Sequence, residues 1–253
     1  YFRREVQAHA GLVHPGVVYL YEYGELSEHA ADESGEALIA GSPFVAMELA
    51  DGGTVREVLP FDCWADVREV LLQVLEALGY AHARGVVHRD LKPENVLLFE
   101  HDAGVKVKLA DFGIAHAIKP DEHEPGGEIT SKVAGTPNYM APEQIRGDWR
   151  DFGPWTDLYS LGCMAFQMVS GRLPFDGGTV GEISGQHLDA SPPLLHPSFD
   201  VPERFSQWVA RLLQKERWDR FRSAADAARS LVALDDTHTS KEAVASTGPA
   251  TTR

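Results

Sequence analysis

The chain has 253 residues, 43% apolar and 24% charged, the proportions of an ordinary globular protein able to bury one large core. Its net charge of −15 gathers in stretches such as EHAADESGE (28–36) and PDEHEPGGE (120–128), which argues against nucleic acid and anionic membrane surfaces as main partners. Cys63 and Cys163 lack metal-ligand spacing, no apolar run reaches transmembrane length and no signal peptide is legible. Two buried thiols in a reducing, cytoplasmic compartment are therefore expected.

In chain order, Phe2, Val6, Leu12 and Val13 with Ala8 and Ala10 predict a helix over 2–13, stopped by Pro15. VVYLYEYG (17–24) and FVAMEL (44–49) predict strands, separated by an acidic loop over 25–42. After the DGG turn (51–53), Val67, Val70, Leu71, Val74, Leu75, Leu78 and Ala81 recur at three and four, which predicts a helix capped by Gly85. NVLLF (95–99) and VKVKLA (105–110) predict two short strands joined by the turn-like HDAG. Helices are expected near 156–170, 179–187, 203–214 and 223–233. The tail 235–253 has almost nothing to bury and is expected to be a disordered linker. The fold class is α+β: a strand-rich part over 1–50, a helical body over 51–234, and a polar, loop-rich zone from 86 to 143.

That zone carries the chemistry. HRDLKPENVLL (88–98) is followed by DFG (111–113) and GTPNYMAPE (135–143). Phosphoryl transfer asks a protein for positioning and charge neutralisation more than for covalent steps. Asp90 can accept a hydroxyl proton, Lys92 can hold phosphoryl oxygens, and Asn95 with Asp111 can ligate Mg²⁺, a hard cation. HRD or DFG alone is weak evidence; in this order and spacing the motifs resemble the signature set of the protein kinase family, over roughly residues 1–234.

The resemblance implies a two-lobed kinase fold, ATP and Mg²⁺ as cofactors, and protein partners presenting a Ser or Thr acceptor. It makes Asp90 the catalytic base, Asn95 and Asp111 the metal ligands, and Lys92 the contact to the γ-phosphate. Lys92 and the Gly-Thr-Pro before Tyr139 resemble the serine/threonine branch, and TDLYSLGCMAFQMVSGRLPFDG and RWDRFRSAADAARSL resemble its bacterial members. In the same family terms Met47 is the gatekeeper, Glu48 and Ala50 offer backbone groups to adenine, and Leu97 supports the base from below. Arg89 would receive a phosphate on Thr130, with Ser131 its neighbour, and the Thr136 hydroxyl would bridge Asp90 and Lys92. Glu143 is expected to pair with Arg220, Asp157 to brace the catalytic loop, and His88 to stack on Phe112.

Glu5 stands where the family has the helix Glu that pairs with a nucleotide-anchoring Lys, yet the first Lys is Lys92 and no two glycines are separated by one residue. Neither that Lys nor a G-x-G-x-x-G loop is present. A small lobe of one helix and one hairpin is marginal and leaves a strand edge open. The expectation is therefore a piece of a longer protein, with weak or no ATP binding by residues 1–253 alone. Two other readings compete: a catalytically inactive kinase-like scaffold, which the intact Asp90, Asn95 and Asp111 oppose, and a small-molecule phosphotransferase, which GTPNYMAPE opposes.

Overall fold

In a computed structural model, the described residues are 11–33, 38–101, 104–112 and 137–245. Side chains are described no further than Leu234. Strand β1 (Leu20–Glu25) pairs antiparallel with β2 (Pro43–Met47), setting Leu20 opposite Met47 and Glu25 opposite Pro43. Between them the acidic stretch is not all loop. Glu28–Glu33 forms a short helix, α1, because the Ser27 hydroxyl accepts the Ala30 N–H at 3.2 Å and His29 lies 3.4 Å from Glu33 one turn on. No residue of α1 is buried. The start of the first predicted strand also shifts: Val17 makes only an isolated parallel bridge to Leu109, and Val18 N–H donates to the Leu109 carbonyl at 2.9 Å. Of the predicted helix over 2–13, residues 1–10 lie outside the described residues, and Leu12 and Val13 are not helical.

The helical body begins with α2 (Val55–Val58) and α3 (Trp64–His82). The face of α3 predicted from periodicity is buried, from Val67 through Ala81. Gly85, at φ +74°, closes α3 as predicted: its N–H donates to His82 O at 2.9 Å and the Val86 N–H to Ala81 O at 3.0 Å. Cys63 is exposed just before α3 and Cys163 is buried. The expectation of two buried thiols is thus corrected, because apolar neighbours in sequence do not bury a residue at a helix entry. A 3-10 turn over Pro93–Asn95 leads into β3 (Val96–His101), which pairs antiparallel with β4 (Gly104–Leu109).

Four larger elements complete the body after α4 (Pro142–Arg146): α5 (Pro154–Ser170), α6 (Val180–Asp189), α7 (Phe205–Leu212) and α8 (Ala224–Ala245). Helix α5 is buried on every side from Thr156 to Val169, so it is the axis of the core rather than an amphipathic cover. It packs so closely on α7 that a Cβ at Gly162 would stand 2.7 Å from the Leu212 Cβ. The backbone of α8 runs on to Ala245, past the predicted end of helix, through Lys241, Glu242 and Ala243, residue types that favour helix. Among the described residues no helix is long and apolar enough to cross a membrane.

Candidate active site

The loop between α3 and β3 is held from below by one carboxylate. Asp157, in the first turn of α5 and fully buried, accepts the His88 N–H at 2.8 Å, the Arg89 N–H at 2.8 Å and the His82 Nε2 at 2.7 Å. Burial would raise its carboxyl, but the His82 bond, the nearby imidazoles and the backbone donors outweigh burial and hold it below its ordinary 3.8. The expected brace is present. Burial lowers His88 from 6.5 against the pull of Asp157 and Asp90, so it stands neutral at pH 7, its ring 4.5 Å from that of buried Phe112. The expected stack is present too. Arg89 sits at φ +66°, a conformation unusual for a side chain of its size, and its carbonyl accepts the Gln144 Nε2 at 2.7 Å.

On this loop the Asp90 carboxylate is gripped at one oxygen. Lys92 Nζ donates to Oδ2 at 2.7 Å and Asn95 Nδ2 at 3.1 Å. Asn95 Nδ2 also donates to the Asp90 carbonyl at 2.8 Å, fixing main chain and side chain together. Asn95 is itself buried, and its amide N–H groups are spent on Asp90, which leaves Oδ1 as a free acceptor among the described residues. The β3–β4 register continues into the loop: the Ala110 N–H donates to the Asn95 carbonyl at 2.9 Å, so the next residue, Asp111, flanks Asn95. Asp111 is held at φ +57°. Burial raises its carboxyl above 3.8; His88 lowers it, Asp90 raises it and Lys92 lowers it in turn.

These donors fit a hard divalent cation. Two like charges, Asp90 and Asp111, share a partly desolvated site, and the free amide oxygen of Asn95 lies beside them, so a magnesium ion with phosphate oxygens completing its shell would relieve the raised Asp111 carboxyl. Among the described residues no group of three or more His, Cys, Asp or Glu could hold a metal ion.

The predicted adenine-side residues follow β2. Met47 ends the strand, half-buried, and Leu97 on β3 is half-buried. The Glu48 carbonyl and the Ala50 N–H take no hydrogen bond among the described residues and so could serve a base. Glu5, Thr130, Ser131 and Thr136 lie outside the described residues. The Glu143–Arg220 pair is present and two-pronged, at 2.9 and 3.0 Å. Beside the loop opens a cavity of about 390 Å³ lined by Arg56, Glu94, Tyr139, Gln167 and Arg172 among others.

Sequence reasoning missed three supporting groups. His82 buttresses Asp157, and its place one turn ahead of Gly85 gave no hint of that. Gln144 holds the Arg89 carbonyl, and Lys108 Nζ lies 2.5 Å from Glu48 Oε2. Lys108 stands on β4, three residues before Asp111, and its sequence position did not signal the pairing either.

A family model for the protein kinase domain matches residues 1–230. The probable serine/threonine-protein kinase PknB of Bifidobacterium longum is 37% identical over 233 residues, covering 89% of this chain and 32% of that protein. The serine/threonine-protein kinase PknB of Mycolicibacterium smegmatis is 33% identical over 241 residues, 93% of this chain and 36% of that protein. The chain thus spans about a third of the length of these relatives. Among solved structures, a mutant PknI kinase domain of Mycobacterium tuberculosis superposes with a TM-score of 0.65 at 27% identity, covering 92% of this chain and 77% of that one. Rad53 in complex with AMP-PNP gives 0.66 at 26% identity, covering 90% and 53%.

Proposed function

The chain belongs to the protein kinase family, with the two-lobed α+β fold of that family, and on that premise we propose that it is the catalytic domain of a serine/threonine kinase of bacterial type. The parent protein transfers the γ-phosphate of ATP to Ser or Thr hydroxyls of protein substrates, on the cytoplasmic side, where ATP is available. The observation that carries this reading is the grip on Asp90: Lys92 and Asn95 both hold Oδ2, leaving Oδ1 to accept the acceptor's hydroxyl proton. A non-catalytic scaffold has no use for that arrangement.

Asp90 orients the incoming hydroxyl and takes its proton. Lys92, beside it, is placed to meet the transferring phosphoryl group, and Asn95 and Asp111 would hold Mg²⁺. Bound there, the cation supplies charge neutralisation on the phosphate oxygens. Met47, Glu48, Ala50 and Leu97 form the adenine side; the complex of the related Rad53 with AMP-PNP supports a nucleotide of this type. In this reading the cavity over Tyr139 and Gln167, which Glu94 of the loop also lines, receives the acceptor peptide. Phosphate on Thr130 or Ser131 is received by Arg89, and Thr136 bridges Asp90 and Lys92.

The test is Asp90→Asn in the full-length protein. Phosphate transfer from radiolabelled ATP to a protein substrate falls by at least about 10³-fold while the thermal melt stays unchanged. Transfer that survives the substitution overturns the assignment of the base.

A further inference from the structure

We propose that Lys108 is a positioning residue for the nucleotide, acting by fixing the interlobe linker at Glu48 through an enclosed ion pair. The proposal rests on the reading above, in which the Glu48 carbonyl and Ala50 N–H serve the base.

Glu48 is the first residue after β2, and three of its atoms are engaged. Its N–H donates to the Tyr19 carbonyl at 3.0 Å, its Oε1 accepts the Tyr19 N–H at 2.7 Å, and its Oε2 receives Lys108 Nζ at 2.5 Å. Two of these bonds run to the segment entering β1; among the described residues only Lys108 ties Glu48 to the large body. The ion pair is enclosed, with side-chain exposures of 16% and 17%, and Lys108 Nζ also lies 4.4 Å from the centre of the Phe99 ring. Enclosed charges are screened little, and removing one partner leaves the other desolvated and unpaired.

The far end of the linker is fixed separately. Gly52 N–H donates to Leu98 O at 3.0 Å, Leu98 N–H to Gly53 O at 2.9 Å, and Thr54 bridges Leu97. Asp51 Oδ1 also accepts the Glu100 N–H at 2.9 Å, so residues 49 and 50 span two fixed points, and Lys108 makes one of them. The same Lys faces Leu97 across the β3–β4 ladder and stands three residues before Asp111. One side chain thus links the linker, the floor beneath the base and the strand that delivers the metal-binding carboxylate.

Lys108→Met in the full-length protein keeps the apolar stem and removes the charge. The expected result is a rise of about tenfold in the KM for ATP and in the Kd for AMP-PNP by calorimetry, with kcat and the KM for the protein acceptor within about twofold of wild type. Lys108→Arg restores most of the affinity. Glu48→Gln, which keeps an acceptor for the Tyr19 N–H, weakens nucleotide binding similarly, and the double variant is no weaker than either single one. Should Lys108→Met fail to fold, Glu48→Gln carries the same test. An unchanged nucleotide affinity, or a fall in kcat with affinity intact, overturns the proposal. A wild-type protein that binds AMP-PNP but transfers no phosphate defeats the kinase reading and leaves the Lys108 measurement standing.

Discussion

Arg220 is fully buried and every one of its guanidinium N–H groups has an acceptor. Nε donates to Gln214 O at 2.7 Å; Nη1 to Glu143 Oε1 at 2.9 Å and Trp155 O at 3.0 Å; Nη2 to Glu143 Oε2 at 3.0 Å and Lys215 O at 2.9 Å. Replacing it with Ala strands the Glu143 carboxylate, itself buried, with only the Thr156 hydroxyl at 2.9 Å for a partner. It also removes the donor from three carbonyls. Breaking one side of such a pair costs about 3–5 kcal/mol, and the orphaned carbonyls keep the estimate from falling below that range. For a domain of this size that is a fall of about 6–20 °C in Tm, measurable by thermal melts or by urea unfolding followed through tryptophan fluorescence. Lys, with three donors and no planar fork, recovers only part of the loss. Replacing Glu143 and Arg220 together by Met removes the stranded charge and regains stability relative to Arg220→Ala. A cost below about 1 kcal/mol for Arg220→Ala would refute the reasoning, because it would mean that Glu143 is resolvated on losing its partner.

Asp157→Asn replaces an acceptor of three donors with a group that presents its own N–H to one of them, so the His88–Arg89 backbone loses its fixed position. We expect kcat to fall about 100-fold in the full-length protein with the KM for ATP little changed; steady-state kinetics decide, and a kcat near wild type sinks the bracing role. His187 yields a pH prediction. Burial, then the positive charge of Lys215, lowers its pKa from 6.5 to about 3, and its Nδ1 meets the Tyr159 hydroxyl at 2.9 Å. The groups facing it are Lys215, itself lowered to about 8 by burial, and Tyr159, while its Nε2 has no hydrogen-bond partner among the described residues. Because the folded value is depressed, its stabilising contribution is complete above 6.5 and is lost as pH falls from 6.5 toward 3. Between pH 7 and 5 that loss is about 1–2 kcal/mol, and His187→Phe flattens that limb of the stability curve; parallel curves for the two proteins would disprove it.

What the sequence made legible was local or motif-bound. The period of Val67–Ala81 announced α3, and Gly85 announced its end, because both signals reside in adjacent residues. Asp157, Glu143 and Arg220 are unreadable from periodicity, since an ion pair between positions so far apart leaves no local trace; only the motifs around them pointed there. Helix α1 escaped because six residues with none buried offer no apolar periodicity to read, although Glu and Ala favour helix and Ser27 caps its start. Lys108 escaped for a different reason. In VKVKLA its alternation with Val107 and Leu109 marks it as solvent-facing, whereas the packing of the linker over β4 encloses that face.

The two carboxylates of the site are placed by bonds to main chain rather than by a ligand. Asp157 holds the backbone of His88 and Arg89, Asn95 holds the backbone of Asp90, and the Ala110 N–H holds the backbone of Asn95. These partners lie on the chain from the end of α3 to the first turn of α5; His88, Asn95, Ala110 and Asp157 are buried, and Arg89 and Asp90 are half-buried. The catalytic side of the site is therefore set by the helical body, at the cost of left-handed backbone at Arg89 and Asp111. On the proposed function, the adenine side depends instead on Glu48, whose one tie to β4 among the described residues is Lys108. Substitutions in the first group should act on the rate of transfer, those in the second on nucleotide affinity. That division follows from which backbone each bond holds.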